Sequence, residues 1–513
     1  MWPRISLNDA RTIAHYLGVL ISFLSIGLAV PLVVAVVFQE WVPASHYVLT
    51  AGICLVVGTL LRFVRIQPGR LSFQQALIIT GLSWVVLALF AAIPLWLSGH
   101  YGRVIDALFD SVSGVTTTGV SIISDLGHLS NADNMWRFVL HATGGLGFIV
   151  VGATFGLFGR GGGASLFSSE GRGEHIVPNV VQTARFISKI AAVFVAATTL
   201  VLCALCLMKG MEAPRALMHS LWLAISAFVT GGFTPTDFSA FYYHSPAIEF
   251  VLMVVMLAGS ISFVLHSAIV RGRVIEFFRD METIATFAWL AVLTVVFAAT
   301  VSSSVGLSDL PTMLRRDLFT VISAYSTTGF LNITGSQLTE TLTSGALLTI
   351  AVLMSVGGGT ESTSGGIKVR RLAIIVKSIV STVKQTLSPD SARISVSYYH
   401  LGRHTLSPEL VRAAMTVTSL YGITYIAGTL VGIAAGYDAT QAIFESVAMG
   451  SNAGLSAGIA SQGMPAPLEC FYILQMWAGR LEYVTFIALI VNVAVSLYPR
   501  TAVDRLARRV RDR

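Results

Sequence analysis

ALFDSVSGVTTTG (107–119), SLWLAISAFVTGG (220–232), DLFTVISAYSTTG (317–329) and AIFESVAMGSNAG (442–454) are four versions of one block. Aligned without gaps, the third position is always aromatic and the last is always glycine. The aromatic residues are Phe109, Trp222, Phe319 and Phe444, and the glycines are Gly119, Gly232, Gly329 and Gly454. Recurrence at a period of about 100 residues is typical of one structural unit used repeatedly. The blocks therefore predict a four-part assembly around an axis.

Composition indicates whether water or lipid surrounds this assembly. The 513 residues are 54% hydrophobic and 12% charged, with a mean hydropathy of +0.75. Soluble domains carry about twice that share of charge. The sequence therefore predicts an integral membrane protein, and its net charge of +7 reflects membrane orientation rather than nucleic-acid binding.

Ten stretches without Lys, Arg, Asp or Glu are long enough, or nearly so, to cross a hydrocarbon core of about 30 Å. They are 12–39, 41–61, 71–102, 138–159, 190–208, 250–270, 283–308, 341–360, 413–437 and 483–499. An even number of spans places both termini on one side. The loops on that side hold 26 of the 33 Lys and Arg residues, so the positive-inside rule predicts cytoplasmic termini.

The blocks fall between apolar runs, which gives a repeat unit of spanning helix, short re-entrant helix, glycine loop and spanning helix. The first two apolar runs remain as a helical hairpin outside the repeat. The expected fold class is an all-α integral membrane protein with four covalently linked units around a pseudo-fourfold pore. The expected segments are a hairpin (1–68), unit 1 (69–175), unit 2 (176–278), unit 3 (279–400), and unit 4 with a basic C-terminus (401–513).

A re-entrant loop at membrane depth needs hydrogen-bond partners, so it must be buried in protein or line a water-filled cavity. These loops are rich in Thr, Ser and Gly, and glycine allows successive carbonyls to turn toward one line. Four such strands can supply a ring of oxygens that replaces the water shell of a monovalent cation. The alternative is that small residues simply allow close helix packing.

Longer motifs surround the blocks and carry a family resemblance. They are TTTGV (116–120), TGGFTPTDF (230–238), STTGF (326–330), SNAGL (451–455), RFVLHATGGLGFIV (137–150), MLAGSISFVLH (256–266), SVGGGTESTSGGIKVRR (355–371) and AGRLEYVTF (478–486). Their order resembles the Trk/Ktr/HKT superfamily of potassium transporters, in particular its bacterial TrkH/TrkG type. The resemblance covers nearly the whole chain.

The resemblance implies four linked M1–pore helix–M2 units per chain with a potassium filter made of backbone carbonyls. In that family, a filter glycine in every repeat is associated with a preference for potassium. A serine in the first repeat is associated with sodium transport in plant relatives. The implied K⁺ filter residues are Thr117, Thr118, Gly119, Thr230, Gly231, Gly232, Thr327, Thr328, Gly329, Asn452, Ala453 and Gly454. The fourth loop lacks the threonine cluster and is expected to be the weakest coordination face.

The insert SVGGGTESTSGGI (355–367) has a helix-breaking composition and interrupts what would be one helix over 341–378. It is either a cytoplasmic turn or, as the resemblance implies, a flexible intramembrane loop that obstructs the pore. The implied gating residues are Gly357, Gly358, Gly359, Glu361, Gly365, Gly366, Lys368 and Arg480.

Arg480 lies within an apolar region, where a charge is costly unless it faces water or a partner. It either extends to the membrane interface or, by resemblance, lies in the pore beneath the filter and repels cations. Glu482 is two residues away, so a continuous helix would point it elsewhere. We hypothesise that Glu361 is the acidic partner of Arg480 or Lys368.

Three further acids and one histidine lie near the loops. Asp110 and Glu445 occupy the same position in two blocks, and Asp237 follows the second loop. They are expected to be solvated or cap-linked acids, or to concentrate cations at the outer mouth. His141 is expected to be a packing residue.

The sequence thus predicts a potassium uptake protein of the bacterial inner membrane, with K⁺ as its cargo, no organic cofactor and no catalytic machinery. The resemblance implies a homodimer in membrane lipid, bound to a cytosolic nucleotide-binding regulatory subunit of the TrkA type, with the basic segment 377–412 as a contact. Two alternatives remain, the potassium-binding pore subunit of an ATP-driven pump and an ion-coupled secondary transporter.

Overall fold

A computed structural model describes residues 5–66, 71–147, 180–302, 310–335, 337–389 and 395–497. Parts of the predicted spans 138–159 and 283–308, and the predicted cytoplasmic segments 160–179 and 500–513, lie outside these ranges. The described residues are mostly helical, with β structure in two short ribbons. The predicted class, an all-α membrane protein, is confirmed.

The first half of the chain forms ten helices within the described residues. They are α1 (Leu7–Val37), α2 (Trp41–Arg62), α3 (Phe73–Leu97), α4 (Val104–Val115), α5 (Asn131–Leu146), α6 (Val180–Met208), α7 (Ala213–Phe228), α8 (Pro246–Ser260), α9 (Phe263–Val270) and α10 (Val274–Arg279). Short 3₁₀ turns at 126–128 and 239–243 follow the first and second loops.

The second half of the described chain contains eight helices and both ribbons. They are α11 (Met281–Ser302), α12 (Leu310–Tyr325), α13 (Ser344–Ser355), β1 (Val356–Gly357), β2 (Ile367–Lys368), α14 (Val369–Thr386), β3 (Ser397–Tyr399), β4 (Arg403–Thr405), α15 (Pro408–Ala434), α16 (Ala439–Gly450), α17 (Ala466–Arg480) and α18 (Val484–Leu497). β1 and β2 pair in parallel, and β3 and β4 are antiparallel.

Each predicted block forms a short helix. These helices, α4, α7, α12 and α16, each pack against the long helix that precedes them, namely α3, α6, α11 and α15. The helix that follows each loop contacts the short helix of the next unit: α5 contacts α7, α8 contacts α12, and α13 contacts α16. The circle closes because α17 contacts α4. The described part of the chain therefore forms a ring of four similar units, although the exact segment boundaries stay a prediction.

The helices differ from the predicted spans mainly at the second helices of the units. Among the residues that the structure describes, six helices are long and apolar enough to cross a membrane, and they are α1, α2, α3, α6, α11 and α15. The second helices of units 2 and 4 are instead broken, with bends of 103° between α8 and α9 and 112° between α17 and α18. In unit 3, α13 ends at the glycine-rich insert. The prediction of a continuous span over 250–270 is therefore wrong, because Gly259 and Ser260 at the break weaken the helix. The predicted span 483–499 contains α18, and the bend lies before it, at residues 481–483. The end of α13 at Ser355 agrees with the predicted interruption of a helix over 341–378.

The N-terminal hairpin of α1 and α2 packs through small residues. A Cβ atom on Gly58 would lie 2.8 Å from the Ser22 nitrogen and 2.9 Å from the Gly18 carbonyl oxygen. Close backbone approach of this kind is a common means of helix association in membranes. On the same helix, Gly52 has no atom within 4 Å of its Cβ position. The two glycines form a matched pair.

We expect Gly58→Ala to destabilise the protein by roughly 1–3 kcal/mol, because the added methyl group forces the two backbones apart. The midpoint of thermal unfolding of the purified protein in detergent measures this effect. Gly52→Ala should leave the midpoint unchanged or raise it. Equal behaviour of the two variants would contradict the close packing of the hairpin.

Candidate ion-binding site

All four short helices end in the same backbone cap. In each, an N–H at the loop donates to a carbonyl five residues earlier, as in a Schellman motif. The four bonds join Thr118 to Ser113 (2.8 Å), Gly231 to Ser226 (2.8 Å), Thr328 to Ser323 (3.0 Å) and Ala453 to Ala448 (2.9 Å). The repeat seen in the sequence is therefore also a repeat of backbone geometry.

The residue before each of these donors has a left-handed backbone. These residues are Thr117 (φ 55°), Thr230 (φ 51°), Thr327 (φ 56°) and Asn452 (φ 54°). Glycine is usual at this position of the cap, and β-branched residues rarely adopt it. Each threonine therefore carries a backbone strain of about 1–3 kcal/mol, which the surrounding contacts must offset. Strain of this kind is typical of functional sites.

The four loop glycines meet at one point. A Cβ atom on Gly232 would lie 3.3 Å from the Cα atoms of both Gly119 and Gly454, and one on Gly329 would clash with the Gly454 backbone. A Cβ on Gly119 would clash with the Gly231 carbonyl, and one on Gly454 would lie 2.9 Å from the carbonyl oxygens of Thr118 and Thr328. Backbone carbonyls of three loops therefore border the space around the glycines, and no side chain fits there.

The helix ends give this region its electrostatic character. α4, α7, α12 and α16 all end at the loops, so the partial negative charges of their carboxyl ends converge there. Backbone carbonyls add further negative dipoles. The four loops thus form a site suited to a dehydrated cation.

The four left-handed residues contact the insert and Arg480 directly. The Thr230 hydroxyl lies 3.2 Å from the Thr363 hydroxyl, and the Gly365 N–H donates to the Thr327 hydroxyl at 2.8 Å. Arg480 Nη1 donates to the Thr117 hydroxyl at 3.1 Å. The Cβ atom of Asn452 is 3.0 Å from the Cβ position of Gly365. The left-handed residues of all four loops therefore lie against the insert or Arg480.

The insert folds into a loop that is bonded to the ends of α7, α8 and α17. The Gly359 N–H donates to the Ser260 carbonyl at 2.8 Å, and the Thr363 hydroxyl lies 2.9 Å from the Gly259 carbonyl oxygen and 3.1 Å from that of Phe228. The short parallel pair of β1 and β2 closes the base of the loop. Thr363 is fully buried, so the insert is an internal loop rather than a cytoplasmic turn.

Arg480 is the last residue of α17 and bridges three parts of the site. In addition to Thr117, its guanidinium donates to the carbonyls of Thr363 (3.1 Å), Gly144 (2.7 Å) and Gly145 (3.1 Å). The last two residues belong to the end of α5. A planar guanidinium satisfies such a fork of acceptors, which an ammonium group cannot do. Arg480 therefore joins units 1 and 4 to the insert.

A cavity of about 70 Å³ lies beside Arg480, with Glu361, Lys368 and Glu482 also in its lining. The structure thus brings the three predicted charged residues together and adds a fourth.

The expectation that Glu482 points away from Arg480 is wrong, because α17 ends at Arg480 and Glu482 has a left-handed backbone (φ 58°). Glu482 forms an ion pair with Arg371. The Lys368 ammonium donates to the Ser364 carbonyl at 2.6 Å.

Asp110 and Glu445 are buried, contrary to the expectation of solvated residues, whereas Asp237 is exposed. Asp110 accepts bonds from the Ser121 hydroxyl (2.6 Å) and the Ile122 N–H (2.8 Å). Glu445 accepts from the Ser456 hydroxyl (2.7 Å) and from two N–H groups, those of Ala457 (2.8 Å) and Ala460 (2.9 Å). Both carboxylates are 0% exposed. Their hydrogen bonds fix the segment that follows each loop, and neither carboxylate is exposed to solvent.

Asp237 has a comparable structural role, since it accepts from the Leu126 N–H at 3.0 Å and so links the segments after the first and second loops. Asp110 and Asp237 also attract Arg137, which is 1% exposed on α5. The Arg137 guanidinium lies 4.1 Å from the centre of the Phe233 ring. The sequence places this arginine on the outer side of the membrane but does not reveal its burial.

Two polar bridges between loops escaped the sequence analysis. His141 Nδ1 lies 2.8 Å from the Gly114 carbonyl oxygen, and its Nε2 accepts from the Phe233 N–H at 3.1 Å. The Asn452 amide donates to the Thr118 hydroxyl at 3.0 Å and to the Met476 carbonyl at 2.9 Å. His141 was expected only to pack, and no local pattern marks either residue as a bridge. Both bridges connect neighbouring units of the ring.

Comparisons with known proteins agree with this architecture. The profile of the TrkH family, described as cation transport protein, matches residues 44–496. The Trk system potassium uptake protein TrkH of Halomonas elongata is 31% identical over 93% of this chain and 98% of its own length. An uncharacterized cation transporter of Methanocaldococcus jannaschii is 28% identical over 95% and 96%.

The fold also matches a solved structure. The crystal structure of the potassium transporter TrkH from Vibrio parahaemolyticus superposes with a TM-score of 0.80 and 24% identity, covering 93% of this chain and 98% of the other. At this identity, the similarity is one of fold.

We expect Glu445→Gln to destabilise the protein by about 1–3 kcal/mol, because an amide NH₂ would face buried donors in place of a carboxylate oxygen. Thermal unfolding of the purified protein measures the loss. Glu340→Gln, at an exposed position on the outer side of unit 3, serves as the control. A midpoint for Glu445→Gln that equals the control would show that the carboxylate does not hold the segment after the fourth loop.

Proposed function

This chain belongs to the TrkH family of cation transport proteins, and from that premise we propose that it takes up potassium ions through the centre of its four-unit ring. The observation that carries the proposal is the meeting of the four loop glycines, with carbonyls of neighbouring loops beside them. Relatives named as potassium uptake proteins match nearly the full chain. K⁺ is therefore the proposed cargo.

Selectivity in this proposal depends on backbone carbonyls. The left-handed residue of each loop precedes a residue of negative φ and then, in the first three loops, a glycine with φ of 84–90°. This alternation turns successive carbonyls toward a common axis, where they replace the hydration shell of the ion. The proposed ligands come from the twelve filter residues named above, and Asn452 ties the fourth loop to the first.

The driving force needs no chemical step by the protein. A membrane potential of 100 mV is worth about 2.3 kcal/mol per elementary charge, which supports accumulation of a monovalent cation. The converging helix ends lower the cost of removing the ion from water. Uptake down the electrochemical gradient is the proposed mode.

We propose that the structure describes a closed pathway. Thr363 and Gly365 of the insert contact the second and third loops, and Arg480 contacts the first. A cation leaving the filter would meet the insert and a positive charge together. Opening therefore requires the insert to withdraw and Arg480 to exchange its bonds to Thr363 and to the end of α5 for other partners.

Glu361 and Lys368 complete the proposed gate. Glu361 has a left-handed backbone (φ 58°) and lines the same cavity as Lys368 and Arg480. A carboxylate in a cavity of this size can balance either cation as the loop moves. Gly357, Gly358 and Gly365 have no space for a Cβ atom, so the loop must keep its glycines to pack as it does.

The cellular setting belongs to the same proposal. The distribution of Lys and Arg favours cytoplasmic termini, and the proposed location is the bacterial inner membrane. Relatives named as components of Trk systems support a regulatory partner. The proposed partner is a cytosolic nucleotide-binding subunit of the TrkA type with the basic segment 377–412 as its contact, and the proposed assembly is a homodimer. Such a partner would control the insert through α14, which follows it directly.

Gly119→Ser and Gly329→Ser should lower the preference for K⁺ over Na⁺, since the new side chains collide with the backbone of a neighbouring loop. Uptake of K⁺, Rb⁺ and Na⁺ in cells that lack their own potassium transporters measures the change. Gly335→Ser is the control, because the Cβ position of Gly335 has no atom within 4 Å. Unchanged ion preference in both loop variants would refute the filter assignment.

Arg480→Gln should increase potassium flux severalfold in proteoliposomes, since it removes both the positive charge and the bidentate bonds to the end of α5. Arg480→Lys keeps the charge but loses the planar fork, and an intermediate flux is expected. Arg62→Gln, an exposed residue at the end of α2, serves as the control. A flux equal to or below that of the wild type in both Arg480 variants, with normal expression, would exclude the gating role.

A further inference from the structure

A second group of ionisable residues lies at the start of α11, apart from the meeting point of the four loop glycines. Asp280 and Glu282 flank the start of α11, and His400 lies in the turn between β3 and β4. His400 Nδ1 is 2.8 Å from the Asp280 carboxylate. One potential ligand atom from each of the three residues lies within 4.8 Å of the others. We call these three residues the 280/282/400 cluster.

Burial distinguishes this cluster from an ordinary surface ion pair. Asp280 is 0% exposed, Glu282 is 1% exposed and His400 is 5% exposed. Glu282 Oε2 has no hydrogen-bond partner among the residues that the structure describes. A buried carboxylate oxygen without a hydrogen-bond partner is costly and rare in native proteins. This oxygen of Glu282 is therefore a candidate ligand atom.

We propose that the 280/282/400 cluster binds a divalent first-row transition cation such as Zn²⁺ or Mn²⁺. One imidazole and two carboxylates form the donor set that these ions accept, whereas Mg²⁺ and Ca²⁺ prefer oxygen ligands alone. Binding of the ion would release to solvent the proton that His400 and Asp280 share. The ion would also coordinate Glu282 Oε2, which has no hydrogen-bond partner among the described residues.

The cluster is also in contact with the insert. Glu282 Oε1 accepts from the Thr360 N–H at 3.2 Å, and its Oε2 lies 2.9 Å from the Cβ position of Gly359. A bound ion would therefore fix the β3–β4 ribbon, the start of α11 and the base of the insert together. Binding of the ion to the 280/282/400 cluster would therefore stabilise the insert in its position against the loops. This consequence for transport rests on the proposed function, whereas the binding itself does not.

The binding experiment uses the purified full-length chain, stripped of metal with a chelator. Zn²⁺ or Mn²⁺ is added, excess is removed by desalting, and bound metal is counted by mass spectrometry, with affinities from titration calorimetry. We expect one ion per chain in the wild type and none with Mg²⁺. His400→Asn and Glu282→Gln should each weaken the affinity by more than about tenfold.

His128→Asn is the matched control, because His128 forms a comparable pair with Asp125 (2.6 Å) but is exposed and has no third ligand among the residues that the structure describes. It should bind as the wild type does. Size-exclusion chromatography of each variant verifies folding, and Glu282→Gln retains an oxygen for the Thr360 N–H. Wild-type binding that equals that of His400→Asn, or that is lost equally in His128→Asn, would overturn the site.

Transport is measured separately in proteoliposomes. Zn²⁺ on the cytoplasmic side should slow potassium flux severalfold in the wild type and leave flux unchanged in His400→Asn. Stoichiometric binding without an effect on flux would refute the coupling to the insert. Absence of any flux would refute the proposed function, while the count of bound metal still tests the site.

Discussion

The contact of four glycine backbones at one point is the constraint on which the rest of the structure depends. No Cβ atom fits at Gly119, Gly232 or Gly329, so the loops can meet only through backbone. Backbone groups at membrane depth need partners. The four identical helix caps satisfy N–H groups of the loops, and carbonyl oxygens of three loops border the centre. The ring of helices, in which each second helix packs on the next short helix, holds this arrangement closed.

The same loops connect the proposed filter with the proposed gate. Thr117, Thr230 and Thr327 hold a left-handed backbone that β-branched residues avoid, and the side chain of each contacts either Arg480 or the insert. These contacts contribute to the stability that the strain opposes. Withdrawal of the insert would therefore alter the loops themselves. The proposed function would therefore couple selection of the ion and opening of the pathway through the same residues.

The features that recur along the chain could be predicted from the sequence alone. Four aligned blocks, the apolar runs and the glycine-rich insert predicted the membrane fold, the short helices and the interrupted helix of unit 3. The features it could not predict depend on contacts between distant segments. Burial of Asp110 and Glu445 follows from where the chain turns after each loop, and the bridges of His141 and Asn452 join different units. Hydropathy also merges two half-helices into one span when the break is short, which is why the bends after Ser260 and Arg480 were missed.

In the proposed function, a dehydrated potassium ion binds among the backbone carbonyls of the four loops. Crystals of the protein grown in Rb⁺, which replaces K⁺ and scatters X-rays anomalously, test this binding. We expect anomalous peaks on the ring axis in contact with the carbonyl oxygens of Thr118, Gly231 and Thr328, and their loss when Rb⁺ is exchanged for Na⁺. Peaks only at side-chain carboxylates, or none between the four glycines, would contradict it.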